Sequence, residues 1–372
     1  MSDSAHSFGP VASTASRAEL SGGAQAKPLH LHEPGTVEMS KLFISEIKPS
    51  QDVASLFVAA DKQLRTARNG NPYLSLKLSD KTGDIPGRMW EKAAETSALF
   101  RSGDIIFVRG RSELYQEKLQ LNITEILPVP PGGSDPSDFL PVCPFDRDVL
   151  FEQLQKLLSN ISESNLRRLC AGFLADASLM ARFRICPAAK SMHHAYIGGL
   201  LEHTVSVITL LYRICNHYPD LDRDLLLTGA FLHDIGKIEE FVYETHIGYS
   251  DAGRLVGHMV LGTQMLEEKI QAIEGFPAET ALLIKHLILS HHGEAQFGAV
   301  KLPASKEAIA LHFADDLDAK MNAVRRILAN PADEESTWTG YDTIFGRHFF
   351  RGFPRNDEPD GSPESDKAKS TH

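Results

Sequence analysis

The chain has 372 residues, 42% hydrophobic, 23% charged and 8% aromatic, a composition typical of a folded globular protein with room for two domains. It contains no run of about eighteen apolar residues and no basic N-terminal region followed by an apolar one, so we expect neither a membrane span nor a secretory signal. The net charge of −11 on its own argues against a nucleic-acid-binding protein. Four cysteines without a CxxC pair predict reduced thiols in a cytoplasmic protein.

The charge is distributed unevenly along the chain. Residues 41–128 carry 13 Lys and Arg against 11 Asp and Glu, a net charge of +2, which leaves −13 for the rest of the chain. A near-neutral to basic module can meet phosphates, whereas an acidic body suits a metal site. The two parts therefore predict different partners.

Three stretches lack the periodicity of helices and strands. Residues 1–37 are rich in Ser, Ala, Gly and Pro and are predicted to be a disordered leader. Residues 129–144 contain a Pro, Gly and Ser cluster and are predicted to link two domains. Residues 331–372 are predicted to be a C-terminal extension that is disordered from about residue 355.

Residues 38–128 are predicted to form a small all-β domain. Strict alternation over 72–79 places the leucines on one face of a strand, and a turn follows at 80–83. The other predicted elements are, in order, a strand at 54–60, a strand ending at Trp90, a helix at 91–100, and strands at 104–111 and 118–127. Five short strands with one helix after the third favour a closed barrel of the oligonucleotide-binding (OB) type, with a generic β-sandwich as the alternative.

Aromatic and basic residues are interleaved on the polar surface of this predicted barrel. They are Tyr73 and Lys77 on one strand, Arg88 and Trp90 on the next, and Arg65 and Arg68 flanking the intervening loop. Because aromatic rings stack on bases while Arg and Lys follow phosphates, these residues are predicted to bind nucleic acid. The alternative is that Trp90 plugs the barrel end and that the basic residues form an ordinary solvated surface.

Residues 145–330 are predicted to form an all-α helical bundle. His233 and Asp234 stand side by side in the apolar segment 225–237, which predicts a buried helix that ends near Gly236. Burial of an unpaired imidazole beside an unpaired carboxylate costs several kcal/mol, so something must compensate both groups. A divalent metal ion compensates both.

Further histidines and aspartates recur in similar apolar helical segments. They are His203, His258, His291, His292 and Asp315. Imidazole and carboxylate ligands suit Mn²⁺, Fe²⁺, Zn²⁺ and Mg²⁺, and the number of groups exceeds the needs of one ion. A carboxylate can bridge two ions about 3.5–4 Å apart, and Asp234 is the natural bridge. Asp315 and Asp318 share a helix face, so spacing alone does not choose between them.

These residues resemble a known group of hydrolases. His203, His233-Asp234 and Asp315 match the H…HD…D signature of the HD-domain phosphohydrolases. The surrounding segments resemble the YhaM-type 3′→5′ exoribonucleases, which carry an OB module ahead of the HD domain. The matching segments are 64–76 and 80–83 in the OB module, and 193–203, 232–237, 290–293 and 314–320 in the HD domain.

The resemblance spans about Lys41 to Arg326 and implies a helical domain that hydrolyses phosphodiesters with divalent ions. It implies that one ion is held by His203, His233, Asp234 and Asp315, with Asp315 favoured over Asp318. A second ion would be held by His258, His291 and His292 and shared through Asp234. Mn²⁺ is the first candidate for both positions, with Fe²⁺, Mg²⁺, Zn²⁺ and Co²⁺ as alternatives.

Three further residues are assigned to the predicted reaction. Lys237 is predicted to place its ammonium on the phosphate, beside the catalytic Asp234. The alternative for Lys237 is a cation that merely caps a helix C-terminus. Lys190 and His194 precede the first ligand helix and are predicted to contact the substrate.

The leading hypothesis is a cytoplasmic, metal-dependent 3′→5′ exoribonuclease. Its predicted partner is single-stranded RNA, with single-stranded DNA as a further candidate and no membrane. A homo-oligomer is a candidate assembly, and the sequence leaves the oligomeric state open. One competing hypothesis is an HD-domain hydrolase of small or cyclic nucleotides. The other is a non-catalytic protein that binds single strands.

Overall fold

The computed structural model describes residues 41–130, 132–329 and 336–353. The predicted disordered leader at 1–37 and the predicted disordered tail from residue 355 lie outside the described residues. In the described parts a β-barrel comes first and a helical domain follows. The predicted fold class, an OB-type barrel ahead of an all-α domain, is confirmed.

Five strands form a closed barrel in which each strand pairs with two neighbours, in the order β1-β2-β3-β5-β4. Strand β1 pairs with β4 and closes the sheet, which excludes the sandwich alternative. The pairings are antiparallel except for the parallel contact of β3 with β5. The elements are β1 (Asp52–Thr66), β2 (Pro72–Asp80), β3 (Gly83–Met89), α1 (Ala93–Ser97), β4 (Ile105–Tyr115) and β5 (Lys118–Pro128).

The alternation of β2 produces the barrel core. Leu74, Leu76 and Leu78 are 0–3% exposed, whereas the polar residues between them face outwards. Strand β1 is longer than the predicted 54–60, because beyond an irregularity at Ala60 it continues as a polar ribbon paired with β2. The helix predicted at 91–100 begins only at Ala93, because Lys92 adopts a left-handed conformation with φ of 52°.

The carboxylate of Asp80 secures the turn after β2, and we expect the barrel to depend on it. Its side chain is fully buried and accepts from the amides of Thr82 (2.8 Å) and Ile44 (2.9 Å). Asp80→Ala leaves these donors unsatisfied and should lower the free energy of unfolding by about 1–3 kcal/mol, measured by chemical denaturation. Asp52→Ala is the control, because its carboxylate is 84% exposed. A similar loss in both variants would contradict the assignment.

Among the residues described from 132 onward, ten helices and a short hairpin form the second domain. Several helices begin at a capping side chain that accepts a backbone N–H, as at Asp146, Asp222 and Ser305. The elements are α2 (Arg147–Leu158), α3 (Ser164–Leu174), α4 (Ala177–Phe183), α5 (Gly199–His217), α6 (Arg223–Leu232), α7 (Lys237–Glu240), β6 (Phe241–Val242), β7 (Gly248–Tyr249), α8 (Asp251–Leu255), α9 (His258–Gln271), α10 (Ala278–Ser290) and α11 (Lys306–Leu328).

Helix α6 lies at the centre of this domain. Every residue from Leu225 to Leu232 is buried, and Phe231 contacts Phe173 and Phe183 edge-to-face with ring centroids 6.0 Å apart. The C-terminal end of α6 is therefore enclosed by protein, and the residues that follow it emerge inside the domain. His233 and Asp234 occupy these positions.

The helix predicted to end near Gly236 ends at Leu232 instead. The next residues form tight turns, with Ile235 N donating to Leu232 O (3.2 Å) and Lys237 N to Asp234 O (3.0 Å). Gly236 permits this path because a Cβ at this position would lie 2.0 Å from the carbonyl oxygen of His258. The turn therefore seats the HD dipeptide directly against α9. Lys237 begins helix α7, so it does not cap a helix C-terminus.

Two further segments flank the helices. In the predicted linker, Val142 forms a parallel bridge with Ile197, and the amide of Cys143 donates to the Ile197 carbonyl (2.9 Å). In the C-terminal extension, Trp338 pairs with Phe350 in an antiparallel bridge. Across the described ranges, no helix combines the length and apolar character needed to cross a bilayer.

Candidate metal centre

Four histidines have one ring nitrogen held by an oxygen atom and the other directed inwards. Two of them pair through Nδ1 with backbone carbonyls, His233 with that of Ala230 (2.8 Å) and His291 with that of Ile288 (2.7 Å). The other two pair through Nδ1 with carboxylates, His203 with that of Asp318 (2.8 Å) and His258 with that of Glu240 (3.0 Å). Because carbonyls and ionised carboxylates only accept, Nδ1 carries the proton in each neutral ring. Nε2 is then left with a free lone pair, as a metal ligand requires.

Asp234 lies between two pairs of these Nε2 atoms. Its Oδ2 is 3.6 Å from His203 Nε2 and 3.3 Å from His233 Nε2. Its Oδ1 is 3.5 Å from both His258 Nε2 and His291 Nε2. One carboxylate therefore presents one oxygen to each pair, which is the arrangement expected of a ligand that bridges two ions.

Two compact sets of ligand atoms result. His203, His233 and Asp315 offer atoms that all lie within 4.8 Å of one another, as do His258, His291 and His292. The Nε2 atoms of His203 and His233 are 3.2 Å apart. Two lone pairs at that separation repel each other unless a cation or a proton lies between them.

The structure separates the two aspartates that spacing left equivalent. Asp315 Oδ1 is 3.1 Å from Nε2 of His203, the nitrogen that faces the centre. Asp318 instead accepts from Nδ1 of the same ring, on its far side. Asp315 is therefore placed to be a ligand, and Asp318 is placed to orient one.

Buried polar atoms without hydrogen-bond partners test whether a metal fits. Oδ1 of Asp234 and Nε2 of His258 and His291 are all buried and make no hydrogen bond. Leaving three such atoms unsatisfied would be costly, and a divalent cation satisfies all three at once. The residues present therefore fit a metal ion.

Electrostatics support the same interpretation. Burial opposes ionisation of Asp234, but Lys237 and His233 outweigh it and hold the pKa of the Asp234 carboxyl well below its usual range. Burial lowers the pKa of His292 to about 3, and neighbouring His291 and His258 act in the same direction, so this ring is neutral at pH 7. Neutral imidazoles and ionised carboxylates are the ligand forms that metals bind.

His203 lies between two carboxylates, and its pKa is shifted in the opposite direction from that of His292. Burial disfavours its charged form, but the hydrogen bonds to Asp315 and Asp318 and the negative charges of these two groups together outweigh burial and raise the pKa of His203 to about 10. A cation on Nε2 would replace that second proton, because it supplies the positive charge that the carboxylates stabilise.

The other predicted site residues of the helical domain are Lys237, His194 and Lys190. The Lys237 ammonium is buried and donates to Asp234 Oδ2 (2.6 Å), so it contacts the bridging carboxylate. His194 is 3% exposed and pairs with Asp318 (3.0 Å), which places it behind His203 and away from solvent. Lys190 is exposed, with its Nζ 5.8 Å from the Tyr249 ring centroid.

Sequence reasoning missed two supporting residues. Glu240 accepts both the ring Nδ1–H and the backbone N–H of His258, each at 3.0 Å. Tyr196 lies 2.9 Å from His194 Nδ1 and donates to Glu202 (2.8 Å). Neither residue stands at a spacing that marks it, since both reach the centre only through chain folding.

On the barrel, two of the predicted nucleic-acid residues form a stack. The rings of Tyr73 and Trp90 are 4.7 Å apart with an interplanar angle of 27°, and Trp90 is 46% exposed. Trp90 therefore does not plug the barrel. Arg88 lies over the ring of Tyr115 (5.3 Å), a residue that sequence reasoning did not select.

Lys77 and Arg65, two of the three remaining basic residues of the predicted set, have nearby partners on the barrel surface. Lys77 Nζ is 3.3 Å from an Asp84 carboxylate oxygen. Arg65 donates to the side chain of Gln63. Arg68 lies in the exposed turn between β1 and β2.

Comparisons with known proteins agree with the fold and the centre. The HD domain model matches residues 200–320, and the model of the OB-fold nucleic acid binding domain matches residues 60–129. The first match covers His203, His233, Asp234 and Asp315. The molecule is thus an HD-domain protein with an OB-fold module ahead of the HD domain, as predicted.

Three curated proteins named 3'-5' exoribonuclease YhaM are similar over most of the chain. Identity is 35% over 309 residues with that of Geobacillus sp. (strain WCH70), covering 82% of this chain and 93% of that protein. It is 32% over 297 residues with that of Bacillus subtilis (strain 168), covering 80% and 93%. It is 32% over 313 residues with that of Bacillus velezensis, covering 84% and 94%. The chain belongs to the YhaM family of 3′-5′ exoribonucleases.

Metal binding should stabilise the folded protein in a way that depends on the orphaned nitrogens. A ligand present at 100 times its dissociation constant adds about 2.7 kcal/mol, so Mn²⁺ should raise the thermal unfolding midpoint of the EDTA-treated protein. His258→Ala and His291→Ala should reduce that rise in differential scanning fluorimetry. His217→Ala, in an exposed position at the end of α5, is the control. An undiminished rise in both ligand variants would contradict the second ligand set.

Proposed function

We propose that this protein removes nucleotides from the 3′ end of single-stranded RNA at the HD centre, while the OB barrel holds the strand. The observation that carries the proposal is the convergence of four Nε2 lone pairs on the two oxygens of one buried carboxylate, Asp234. Membership of the YhaM family supports the polarity and the class of substrate.

Two divalent ions fit the two ligand sets of this centre. When bound, such ions make water a nucleophile near neutral pH and neutralise charge on the non-bridging phosphate oxygens. Mn²⁺ is our first choice because imidazole and carboxylate ligands suit borderline ions, with Fe²⁺, Zn²⁺, Mg²⁺ and Co²⁺ as alternatives.

The chain's own residues prepare the site for this reaction. Lys237 neutralises part of the charge on Asp234 and holds the carboxylate in place, so its oxygens stay aligned with the two histidine pairs. Glu240 holds His258 in the same manner from behind. Such preorganisation matters because small misplacements of reacting groups are costly in rate.

The exposed stack of Tyr73 and Trp90 suits the other half of the task. Nucleobases of any sequence stack on aromatic rings, and Arg88 beside them can follow the phosphates. The same surface accepts single-stranded DNA, so we include it as a second substrate. Selection between the two depends on contacts to the 2′-hydroxyl.

We also propose a cytoplasmic location and a homo-oligomer. All four cysteines are free and buried, as expected in a reducing compartment. Helix α11 exposes large apolar residues at four-residue spacing, namely Ile309, Phe313, Leu317 and Met321. Such a stripe on a helix marks a surface that contacts another chain.

Hydrolysis should depend on the carboxylates of Asp234 and Asp315 and not on that of the neighbouring Asp316. Asp234→Ala and Asp315→Ala should each lower the rate of RNA shortening by at least about 100-fold, because a lost ligand removes several kcal/mol of charge stabilisation. The assay follows 5′-labelled single-stranded RNA on a gel with added Mn²⁺. Asp316→Ala is the matched control, since Asp316 pairs with Lys320 on the same helix. RNA binding should survive in all three, and retained turnover in Asp234→Ala would refute the shared-carboxylate site.

Strand binding should depend on the aromatic stack. Tyr73→Ala combined with Trp90→Ala should weaken binding of long RNA by about 1–3 kcal/mol per lost stack, measured by fluorescence anisotropy in EDTA. Leu127→Ala, another exposed apolar residue of the barrel, is the control. Cleavage of a dinucleotide should be unchanged in the double variant. Unaltered affinity and unaltered degradation of long RNA would favour a hydrolase of small nucleotides instead.

A further inference from the structure

A continuous chain of hydrogen bonds connects His203 with the segment that leads to the barrel. His203 Nδ1 pairs with Asp318 Oδ2 (2.8 Å), and the same oxygen pairs with His194 Nε2 (3.0 Å). His194 Nδ1 lies 2.9 Å from the Tyr196 hydroxyl, which donates to Glu202 Oε2 (2.8 Å). This series of hydrogen bonds thus runs from His203, which faces the metal centre, outward to Glu202.

The far end of this chain lies in the predicted linker. The thiol of Cys143 donates to the same Glu202 oxygen (3.0 Å). The backbone of the linker is held at this place by Ile197, whose amide donates to Pro141 O and whose carbonyl accepts from Cys143 N, both at 2.9 Å. Glu202 therefore joins the linker to the helix that carries His203.

The side chains that form this series of hydrogen bonds have no orphaned buried atom, in contrast to the metal-facing side chains. Asp318 also accepts from Ser206, and the amide of Asn322 donates to the Tyr196 hydroxyl (3.1 Å). Orphaned atoms occur on Asp234, His258 and His291 but on none of these side chains. His194, His203 and Asp318 lie close enough to hold an ion, yet their hydrogen bonds already account for them.

We propose that Tyr196, Glu202 and His194 are positioning residues which, through Asp318, hold His203 in the orientation that metal binding requires. Cys143 closes the chain from the linker side, so the placement of this ligand depends on how the linker docks. The inference rests on the proposed function of the HD centre and extends it to residues that touch neither metal nor substrate.

The physical reason is the single bond that orients the imidazole. A ring fixed only by its packing can rotate, whereas a charge-assisted bond at Nδ1 sets both the tautomer and the direction of Nε2. Partners behind a ligand typically contribute about 10- to 100-fold in metal affinity. Tyr196 and Glu202, which lie further back than Asp318, should contribute less, about 5-fold, because Asp318 keeps its bonds to Ser206 and His203.

The test is the Mn²⁺ affinity of the full-length, EDTA-stripped protein, measured by isothermal titration calorimetry without RNA. Asp318→Asn should weaken binding about 10-fold or more, and Tyr196→Phe and Glu202→Ala about 5-fold. Glu202→Gln should recover most of the affinity, because the amide oxygen still accepts from Tyr196. Tyr212→Phe is the matched control, since this tyrosine lies on α5 more than two turns beyond His203.

The outcomes separate the positioning role from its alternatives. Thermal unfolding in EDTA reports on folding alone, so a lower midpoint with unchanged Mn²⁺ affinity in Tyr196→Phe would show a merely structural role and overturn the proposal. Equal affinity in Tyr196→Phe and Tyr212→Phe would overturn it as well. If the unaltered protein bound neither Mn²⁺ nor any of the four alternative ions, the proposed function itself would be overturned, which distinguishes the two failures.

Discussion

The structure depends on the burial of one carboxylate. Asp234 emerges from the end of the central helix α6 into the interior, where an unpaired charge would be too costly to keep. Lys237 compensates part of this charge, and four histidine nitrogens lie around the remainder. The helices of this domain meet around this constraint, because α5, α9 and α11 each carry a ligand residue to the same point and the residues directly after α6 and α10 supply the others.

The groups behind the ligands are as informative as the ligands themselves. Backbone carbonyls hold His233 and His291, whereas carboxylates hold His203 and His258. A backbone carbonyl acceptor lies in the helix that directly precedes the histidine, and it adds no charge. A carboxylate acceptor increases the basicity of its imidazole and strengthens the negative field. Each of the two ligand sets therefore contains histidine of both kinds.

The barrel and the helical domain differ in charge and in the chemical groups that they present. The barrel is near neutral and exposes an aromatic stack with cations beside it, which suits a strand whose phosphates must be followed without being cleaved. The helical domain is acidic and confines its histidines and carboxylates to a buried centre. The predicted linker contacts the helical domain, because the thiol of Cys143 donates to Glu202, which belongs to the series of hydrogen bonds behind His203.

The sequence by itself determined the fold class and the metal-facing residue types, because both leave local signals. Alternating leucines in β2 indicated a barrel face, and His233-Asp234 within an apolar helix indicated a buried pair in need of a cation. Only the tertiary structure ended α6 at Leu232, separated Asp315 from Asp318, and supplied Glu240 behind His258. The end of α6 goes with the close approach of α9 to Gly236, and the other two features depend on which side of an imidazole a distant carboxylate approaches. No spacing along one chain encodes either contact.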